Sequence, residues 1–249
     1  MIRLLLLLFL STLSSACLYS QSFRSEQKKY KRVREAFQEK LGSIQKNLES
    51  KNISTDELEL YIRIFKADRL VEVYGKNKPD NSYQLISSYP ICALSGELGP
   101  KRKQGDYQIP EGFYHINVFN PVSNFHLSLG INYPNQSDRI LGVKNKLGGD
   151  IYIHGNCVTI GCVPITDDKI KELYVYCVEA KNNGQKNIPV TIFPTKMTTE
   201  NTNLLEQKYN HNDEFIGLWE DLEMAYDIFN SEKRLPSITF LPNGRHWVK

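Results

Sequence analysis

The sequence predicts an α+β fold in which a β-rich centre is flanked by helices at both ends. Short runs of β-branched and aromatic residues cluster between residues 61 and 193, and apolar residues recur at steps of three and four on either side. The first pattern is typical of strands and the second of amphipathic helices. Of the 249 residues, 41% are hydrophobic and 24% are charged, a composition that excludes wholesale disorder, collagen and coiled coil.

Residues 1–20 have the features of a secretory signal peptide. Arg3 precedes an unbroken apolar run over residues 4–10, and small residues follow. The run is shorter than the about 20 apolar residues that span a membrane, and no second such run follows. We therefore expect an exported protein of the periplasm or cell envelope without a transmembrane segment. An alternative is a lipoprotein attached through Cys17, which directly follows Ser-Ser-Ala.

Residues 21–58 are predicted to form an N-terminal amphipathic helical segment. Five apolar residues recur there at steps of four, four, three and four: Val33, Phe37, Leu41, Ile44 and Leu48. This spacing puts them on one helical face. The surrounding Lys and Arg residues are expected to form a solvated face, and attraction to an anionic wall or membrane surface is the alternative.

The central region is predicted to consist mainly of strands. Residues 61–65 and 70–74 are β-rich runs separated by four residues, which indicates a hairpin. Five further runs are predicted as strands: residues 83–88, 114–118, 125–129, 151–153 and 189–193. Glycines and prolines between residues 96 and 112 indicate a long loop.

Two helices and a last strand are predicted near the C-terminus. Thr166, Asp167 and Asp168 precede apolar residues that share one helical face, which indicates a capped helix start. Residues 196–212 are polar and are predicted to be a loop. Residues 215–229 then form an amphipathic helix, and residues 238–241 a strand.

A histidine, two cysteines and two glycines lie within residues 154–162. Cys162 precedes a helix-forming segment, and a thiol near a helix start gains from exposed backbone N–H groups. The imidazole of His154 can take the thiol proton and later return it to a leaving amine. Gly161 allows close approach of a substrate carbonyl, and the N–H groups of Gly161 and Cys162 are candidates for holding an oxyanion. This pattern predicts a cysteine acyl-transfer enzyme with a thiol that is reactive near neutral pH.

Two other interpretations of the same residues stay open at this point. His154, Cys157 and Cys162 have the spacing H-x2-C-x4-C, which zinc could accept if a fourth ligand were present. Alternatively, His154 is a buried structural residue and Cys157 forms a disulfide with Cys162 or Cys177. The pairing of Cys92, Cys157 and Cys177 cannot be chosen from the sequence alone.

The same stretch resembles the YkuD-type L,D-transpeptidase catalytic-domain family of bacterial cell-wall enzymes. The matching residues are His154-Gly155 and Thr159-Ile160-Gly161-Cys162. Ile160 stands where the family usually has a second histidine, and this variant is similar to the YafK-like branch. Other matching segments are Gly99-Pro-Lys-Arg, Gly105-Asp106 and Tyr133-Pro-Asn135. The resemblance implies a β-rich L,D-transpeptidase catalytic domain over residues 59–195, with a C-terminal helical extension over residues 196–249.

The resemblance also implies the roles of individual residues. Cys162 matches the nucleophile and His154 the general base, while the Gly155 carbonyl matches the group that orients the imidazole. Thr159 matches the Ser/Thr position beside the site, and Gly161 belongs with it as a supporting residue. No metal and no cofactor are implied.

A substrate contact that the family makes through an arginine has to come from elsewhere in this chain. Val163-Pro164 stands where many members have an Ile/Val-Arg pair. Arg139, Lys101 and Lys103 are candidates for binding the substrate carboxylate, and Tyr133 is a further candidate substrate contact.

The implied substrates are peptidoglycan stem peptides of the diaminopimelate type, cleaved through a Cys thioester. An amine acceptor or a wall-attached protein would then give cross-linking or wall attachment. Alternatives are a hydrolase of the same chemistry, an L,D-carboxypeptidase or an amidase that releases wall-attached groups, and a non-catalytic peptidoglycan-binding or zinc-binding protein. The formal net charge of +3 does not indicate nucleic-acid binding.

Overall fold

The computed structural model describes residues 22–249. The predicted signal peptide and the lipidation alternative at Cys17 lie outside the described residues. The helices are α1 Phe23–Gln27, α2 Lys31–Glu49, α3 Gln136–Leu141, α4 Asp167–Asn182, α5 Thr199–Tyr209 and α6 Asp213–Glu232. The strands are β1 Leu58–Phe65, β2 Leu70–Asn77, β3 Gln84–Pro90, β4 Gly112–Asn120, β5 Ser128–Ile131, β6 Tyr152–His154, β7 Val163–Pro164, β8 Ile188–Phe193, β9 Ile238–Phe240 and β10 His246–Val248.

A mixed sheet of eight strands lies at the centre, in the order β3-β2-β1-β8-β4-β5-β6-β7. The predicted hairpin is confirmed, because β1 and β2 pair antiparallel from Leu58 opposite Asn77 to Phe65 opposite Leu70. Two pairs are parallel, β1 with β8 and β6 with β7. The short strands β9 and β10 form a separate antiparallel pair. The predicted α+β class is confirmed.

Helices α2 and α4 belong to the main core beside the sheet. The predicted stripe of α2 is almost fully buried, with Val33 and Leu48 at 0% exposure. These residues share one cluster of buried side chains with eight residues of α4 between Ile170 and Ala180 and with the apolar residues of β1, β2, β4 and β5. The N-terminal segment is therefore part of the same core as the strands that carry the site.

A second apolar cluster is built around α6. Trp219 and Leu222 of α6 pack with Phe65 at the end of β1 and Phe193 at the end of β8. The two phenylalanine rings stack with their centroids 5.1 Å apart. The C-terminal part of the chain thus buries its own apolar face against the ends of the central strands.

Two sequence predictions were wrong in detail. Residues 196–212 were predicted to be a loop, but they contain α5, which starts where the Thr198 hydroxyl accepts the Asn201 N–H. The helix buries only Thr202 and Leu205, too few apolar positions to produce a periodic signal. The strand predicted from residue 125 begins at Ser128, because His126 has a φ of 70°, outside the β region. Strand β10 was not predicted.

None of the helices between residues 22 and 249 is long and apolar enough to cross a membrane.

A buried lysine joins the sheet to the long loop that precedes β4. Lys66 directly follows β1 and is 3% exposed. Its Nζ donates to the carbonyl oxygens of Glu97, Gly99 and Ile109, each at 2.9 Å, and lies 2.8 Å from Oε1 of Glu111. All three N–H donors of an ammonium group are therefore used within the protein.

The carboxylate of Glu111 extends this network to the second cluster. Its Oε1 accepts the Gly99 N–H at 2.8 Å, and its Oε2 accepts the indole N–H of Trp219 at 2.7 Å. One ion pair thus connects β1, the loop, the start of β4 and α6.

We expect Lys66→Met to lower the free energy of unfolding by about 3–5 kcal/mol, because it leaves the Glu111 carboxylate buried without its cation. Urea unfolding followed by circular dichroism measures the change. The exposed Lys46 of α2 provides the control, and Lys46→Met should change stability by less than about 0.5 kcal/mol. A loss below about 1 kcal/mol for Lys66→Met would show that the pair does not hold the loop.

Candidate active site

The parallel pair of β6 and β7 brings the predicted catalytic residues to one edge of the sheet. Ile153 lies opposite Val163 and His154 opposite Pro164. His154 is the last residue of β6, and Cys162 directly precedes the neighbouring strand β7. Both side chains line a cleft of about 510 Å³. The lining residues are Asn120, Ser123, Asn124, Phe125, Ser128, Asp150, Tyr152, His154, Val158, Thr159, Ile160 and Cys162.

Cys162 is a free, half-buried cysteine whose Sγ lies 3.6 Å from the carbonyl oxygen of Asp150. Strand β7 follows it, and α4 begins only at Asp167, so the thiol is not at a helix start. Burial raises the pKa of the Cys162 thiol, and the negative charge of Asp150 adds to this effect. A hydrogen bond from the Tyr152 backbone and the charge of Lys101 oppose it. The prediction of a thiol that lies at a helix start and is reactive near neutral pH is therefore wrong.

His154 is buried, with 1% of its surface exposed. Its Nδ1 lies 2.5 Å from the carbonyl oxygen of Gly155. Because a carbonyl can only accept, Nδ1 carries the hydrogen and Nε2 keeps its lone pair. Burial lowers the pKa of the imidazole, and the Gly155 hydrogen bond acts in the opposite direction. The ring is therefore neutral at neutral pH and has a basic nitrogen available.

Gly155 leaves no room for a side chain beside His154. A Cβ at this position would lie 2.5 Å from Oδ1 of Asp167 and 2.9 Å from the carbonyl oxygen of Phe125. The ring of Phe125 packs on the imidazole at a centroid distance of 4.6 Å. The Phe125 ring and the contact of Nδ1 with the Gly155 carbonyl together hold the plane of the histidine.

Thr159 organises the turn that leads to the thiol. Its Oγ1 accepts the N–H groups of Gly161 at 3.1 Å and Cys162 at 2.8 Å, and it donates to the Cys162 carbonyl at 2.8 Å. Both N–H groups that the sequence suggested for an oxyanion are thus already bound to Thr159. Gly161 has a φ of 135°, and a Cβ at this position would lie 3.1 Å from the carbonyl oxygen of Gln108, so a glycine allows this turn. Its part in holding an oxyanion stays a prediction.

A disulfide between Cys92 and Cys157 ties down the loop that joins His154 to Cys162. The Cys92 N–H also donates to the carbonyl of Pro164 at 3.1 Å. This pairing contradicts the predicted alternatives in which Cys157 bonds to Cys162 or Cys177. It also excludes Cys157 as a thiolate ligand for the suggested zinc site. The partners are 65 residues apart, and no local pattern connects them.

The predicted substrate-binding residues lie outside the cleft. Tyr133 is buried, and its hydroxyl donates to the carbonyls of Leu147 at 3.2 Å and Lys101 at 3.4 Å. Arg139 is exposed on α3. Among residues 22–249, none of those lining the cleft is a lysine or an arginine.

Lys101 and Lys103, the other candidates for binding the substrate carboxylate, do not line the cleft either. Lys101 is buried and forms an ion pair with Asp106, with its Nζ 2.5 Å from Oδ1. The same Nζ donates to the carbonyl of Lys103, whose own side chain is exposed. The structure therefore brings together Cys162, His154, Gly155, Thr159 and Gly161, but not the expected cations.

The sequence analysis missed Asp150 and Tyr152, which line the cleft beside the thiol. Asp150 has a φ of 57°, a left-handed conformation that aspartate adopts more readily than most residues. The preceding Gly148-Gly149 was the available signal for a sharp turn at this point. It could not show that the turn lies against Cys162.

Comparisons with known proteins identify the family to which this chain is similar. The YkuD family model, described as an L,D-transpeptidase catalytic domain, matches residues 59–218. Two proteins named "Putative L,D-transpeptidase YafK", from Escherichia coli K12 and O157:H7, are each 38% identical over 191 residues. Each match covers 76% of this chain and 73% of the relative.

Solved structures are more distant. The helical cell shape determining protein Pgp2 from Campylobacter jejuni is 19% identical, with a TM-score of 0.44, and the match covers 75% of this chain and 74% of that chain.

We expect alkylation of Cys162 by iodoacetamide to rise at a higher pH than alkylation of a free thiol, because burial disfavours the reactive thiolate. The measurement is the alkylation rate as a function of pH, followed by intact mass. Cys162→Ala identifies the modified residue, since Cys177 is fully buried. A midpoint below that of a free thiol would contradict the raised pKa.

We expect Thr159→Val to lower the free energy of unfolding by about 1–3 kcal/mol, because the Gly161 and Cys162 N–H groups lose their acceptor. Thr159→Ser keeps the hydroxyl and should stay close to the parent protein. Urea unfolding of the three proteins measures the difference, and equal losses in both variants would show that the hydroxyl is not the stabilising group.

Proposed function

This chain belongs to the YkuD family of L,D-transpeptidase catalytic domains, and from this premise we propose that it catalyses acyl transfer on peptidoglycan stem peptides through a thioester on Cys162. The observation that carries the proposal is a free Cys162 thiol in the same cleft as a neutral His154 whose Nδ1 is held by Gly155. The disulfide agrees with action in an oxidising compartment, which supports a place in the periplasm or cell envelope.

The first half-reaction starts from a neutral pair. The pKa of Cys162 is raised and that of His154 is lowered, both chiefly by burial, so the resting site holds a thiol and an imidazole rather than an ion pair. As Sγ attacks the amide carbonyl carbon, Nε2 of His154 takes the thiol proton. The tetrahedral intermediate then collapses, the C–N bond breaks, and His154 returns the proton to the leaving amine. The product is the thioester.

The second half-reaction consumes the thioester. An acceptor amine attacks its carbonyl carbon, gives a proton to His154 and forms a new amide, while the Cys162 sulfur leaves and regains a proton. The outcome is a cross-link or attachment of a protein to the wall. Water in place of the amine gives a carboxylate by the same route.

Cys162→Ala and Cys162→Ser should abolish turnover while the fold is retained, because no other free thiol lines the cleft among the described residues. His154→Ala should reduce turnover by about 10²-fold or more, the contribution of a general base. The assay incubates the exported protein with purified peptidoglycan and identifies released and joined fragments by mass spectrometry. It also separates transfer from hydrolysis.

Cys177→Ala is the matched control, since it removes the other free cysteine, which is buried in α4 away from the cleft. Turnover that survives in Cys162→Ala, or that is lost equally in Cys177→Ala, would refute a thioester on Cys162.

A further inference from the structure

The cleft carries an unexpected charge. Among the described residues that line it, Asp150 is the only one with a fixed charge at neutral pH, since His154 and Cys162 are both neutral there. Lys101, whose positive charge also acts on Cys162, does not line the cleft and is buried and paired with Asp106. A ligand in this cleft therefore meets a negatively charged side chain and no positively charged one among the lining residues that the structure describes.

Asp150 is also close to the reacting atom. Its backbone oxygen lies 3.6 Å from Sγ of Cys162. Its negative charge adds to the effect of burial in raising the pKa of two neighbouring groups, the Cys162 thiol and the Tyr152 hydroxyl. The residue itself is exposed, so a ligand can reach the carboxylate.

We propose that Asp150 binds the ammonium group of a substrate beside Cys162, so that the cleft selects cationic over anionic ligands. An ammonium group has three donors. Asp150 supplies the charged acceptor, and the Tyr152 hydroxyl and the side-chain amide of Asn124 supply neutral acceptors in the same cleft. A ligand carboxylate at this place would instead be repelled.

The identity of the ligand rests on the proposed function. The diaminopimelate residue of a stem peptide carries a free amino group at the far end of its side chain, on the same carbon as a carboxylate, and Asp150 would contact the amino group of that carbon. An acceptor amine likewise enters as an ammonium before it loses its proton. Asp150 would hold such a group close to the thiol. It is a specificity-determining residue in this proposal, and it takes no proton.

Charged thiol reagents test the role of Asp150 without any assumption about turnover. We expect the cationic reagent trimethylammonioethyl methanethiosulfonate to modify Cys162 faster than the anionic reagent sulfonatoethyl methanethiosulfonate. The rate of each reagent with the protein is first divided by the rate of the same reagent with 2-mercaptoethanol. Asp150→Asn should lower this cation-to-anion ratio about tenfold, because one charge attracts the first reagent and repels the second. Asp150→Glu should restore the ratio, and 0.5 M NaCl should reduce it in the parent protein.

Asp227→Asn, which removes an exposed acid on α6, is the matched control and should leave the ratio unchanged. An unchanged ratio in Asp150→Asn, or an equal fall in Asp227→Asn, overturns the proposal whatever the enzyme does to peptidoglycan.

A second experiment tests whether Asp150 binds the amino group of the substrate. For stem peptides with a free side-chain amine, Asp150→Asn should raise KM about tenfold with little change in kcat. For the same peptides acetylated at that amine, the parent and the variant should have equal KM values. An equal rise for both peptides would overturn ammonium recognition. Absence of turnover in the parent protein would refute the proposed function and leave the reagent ratio as the test of Asp150.

Discussion

The ion pair between Lys66 and Glu111 is the constraint on which the arrangement of the loops depends. Burying an ammonium and a carboxylate is costly unless every donor and acceptor is satisfied, and here the loop over residues 97–109 supplies three carbonyl groups for that purpose. The same loop then presents the carbonyl of Gln108 to the backbone of Gly161. The turn before Cys162 is thus shaped against a loop that is itself held by a charge at the end of β1.

Local patterns were sufficient to predict most of the fold. The stripe from Val33 to Leu48 and the β-rich runs around the first hairpin encode which face is buried, and burial of that face decides the secondary structure. Helix α5 was missed because it is mostly polar and buries only two side chains, which is too few to give a periodic apolar pattern. In the sheet, β8 lies between β1 and β4. This strand order results from pairing between segments that are far apart in the sequence, so no short stretch of the sequence predicts it.

The sequence was sufficient to predict the two reactive groups of the candidate site, but not the side chains and backbone that surround them. A histidine and a cysteine separated by a short glycine-containing loop indicated the two reactive groups, and the structure lines one cleft with both. Their pKa values depend on burial by distant segments, so the sequence suggested the wrong direction for the thiol. The same holds for Asp150, whose place beside Cys162 results from the packing of separate loops, and for the partner of Cys157, which lies 65 residues away.

The raised pKa of Cys162 has a consequence for the chemical durability of the protein. Cys162 follows Cys157, one half of a disulfide, by only five residues. Thiol–disulfide exchange and oxidation by peroxides both proceed through the thiolate, and burial keeps that form scarce. The proposed nucleophile is therefore less prone to exchange with the neighbouring disulfide and to oxidation to a sulfenic acid. In the proposed mechanism the thiol gives up its proton only as the substrate carbonyl arrives, so it is protected from these side reactions between turnovers.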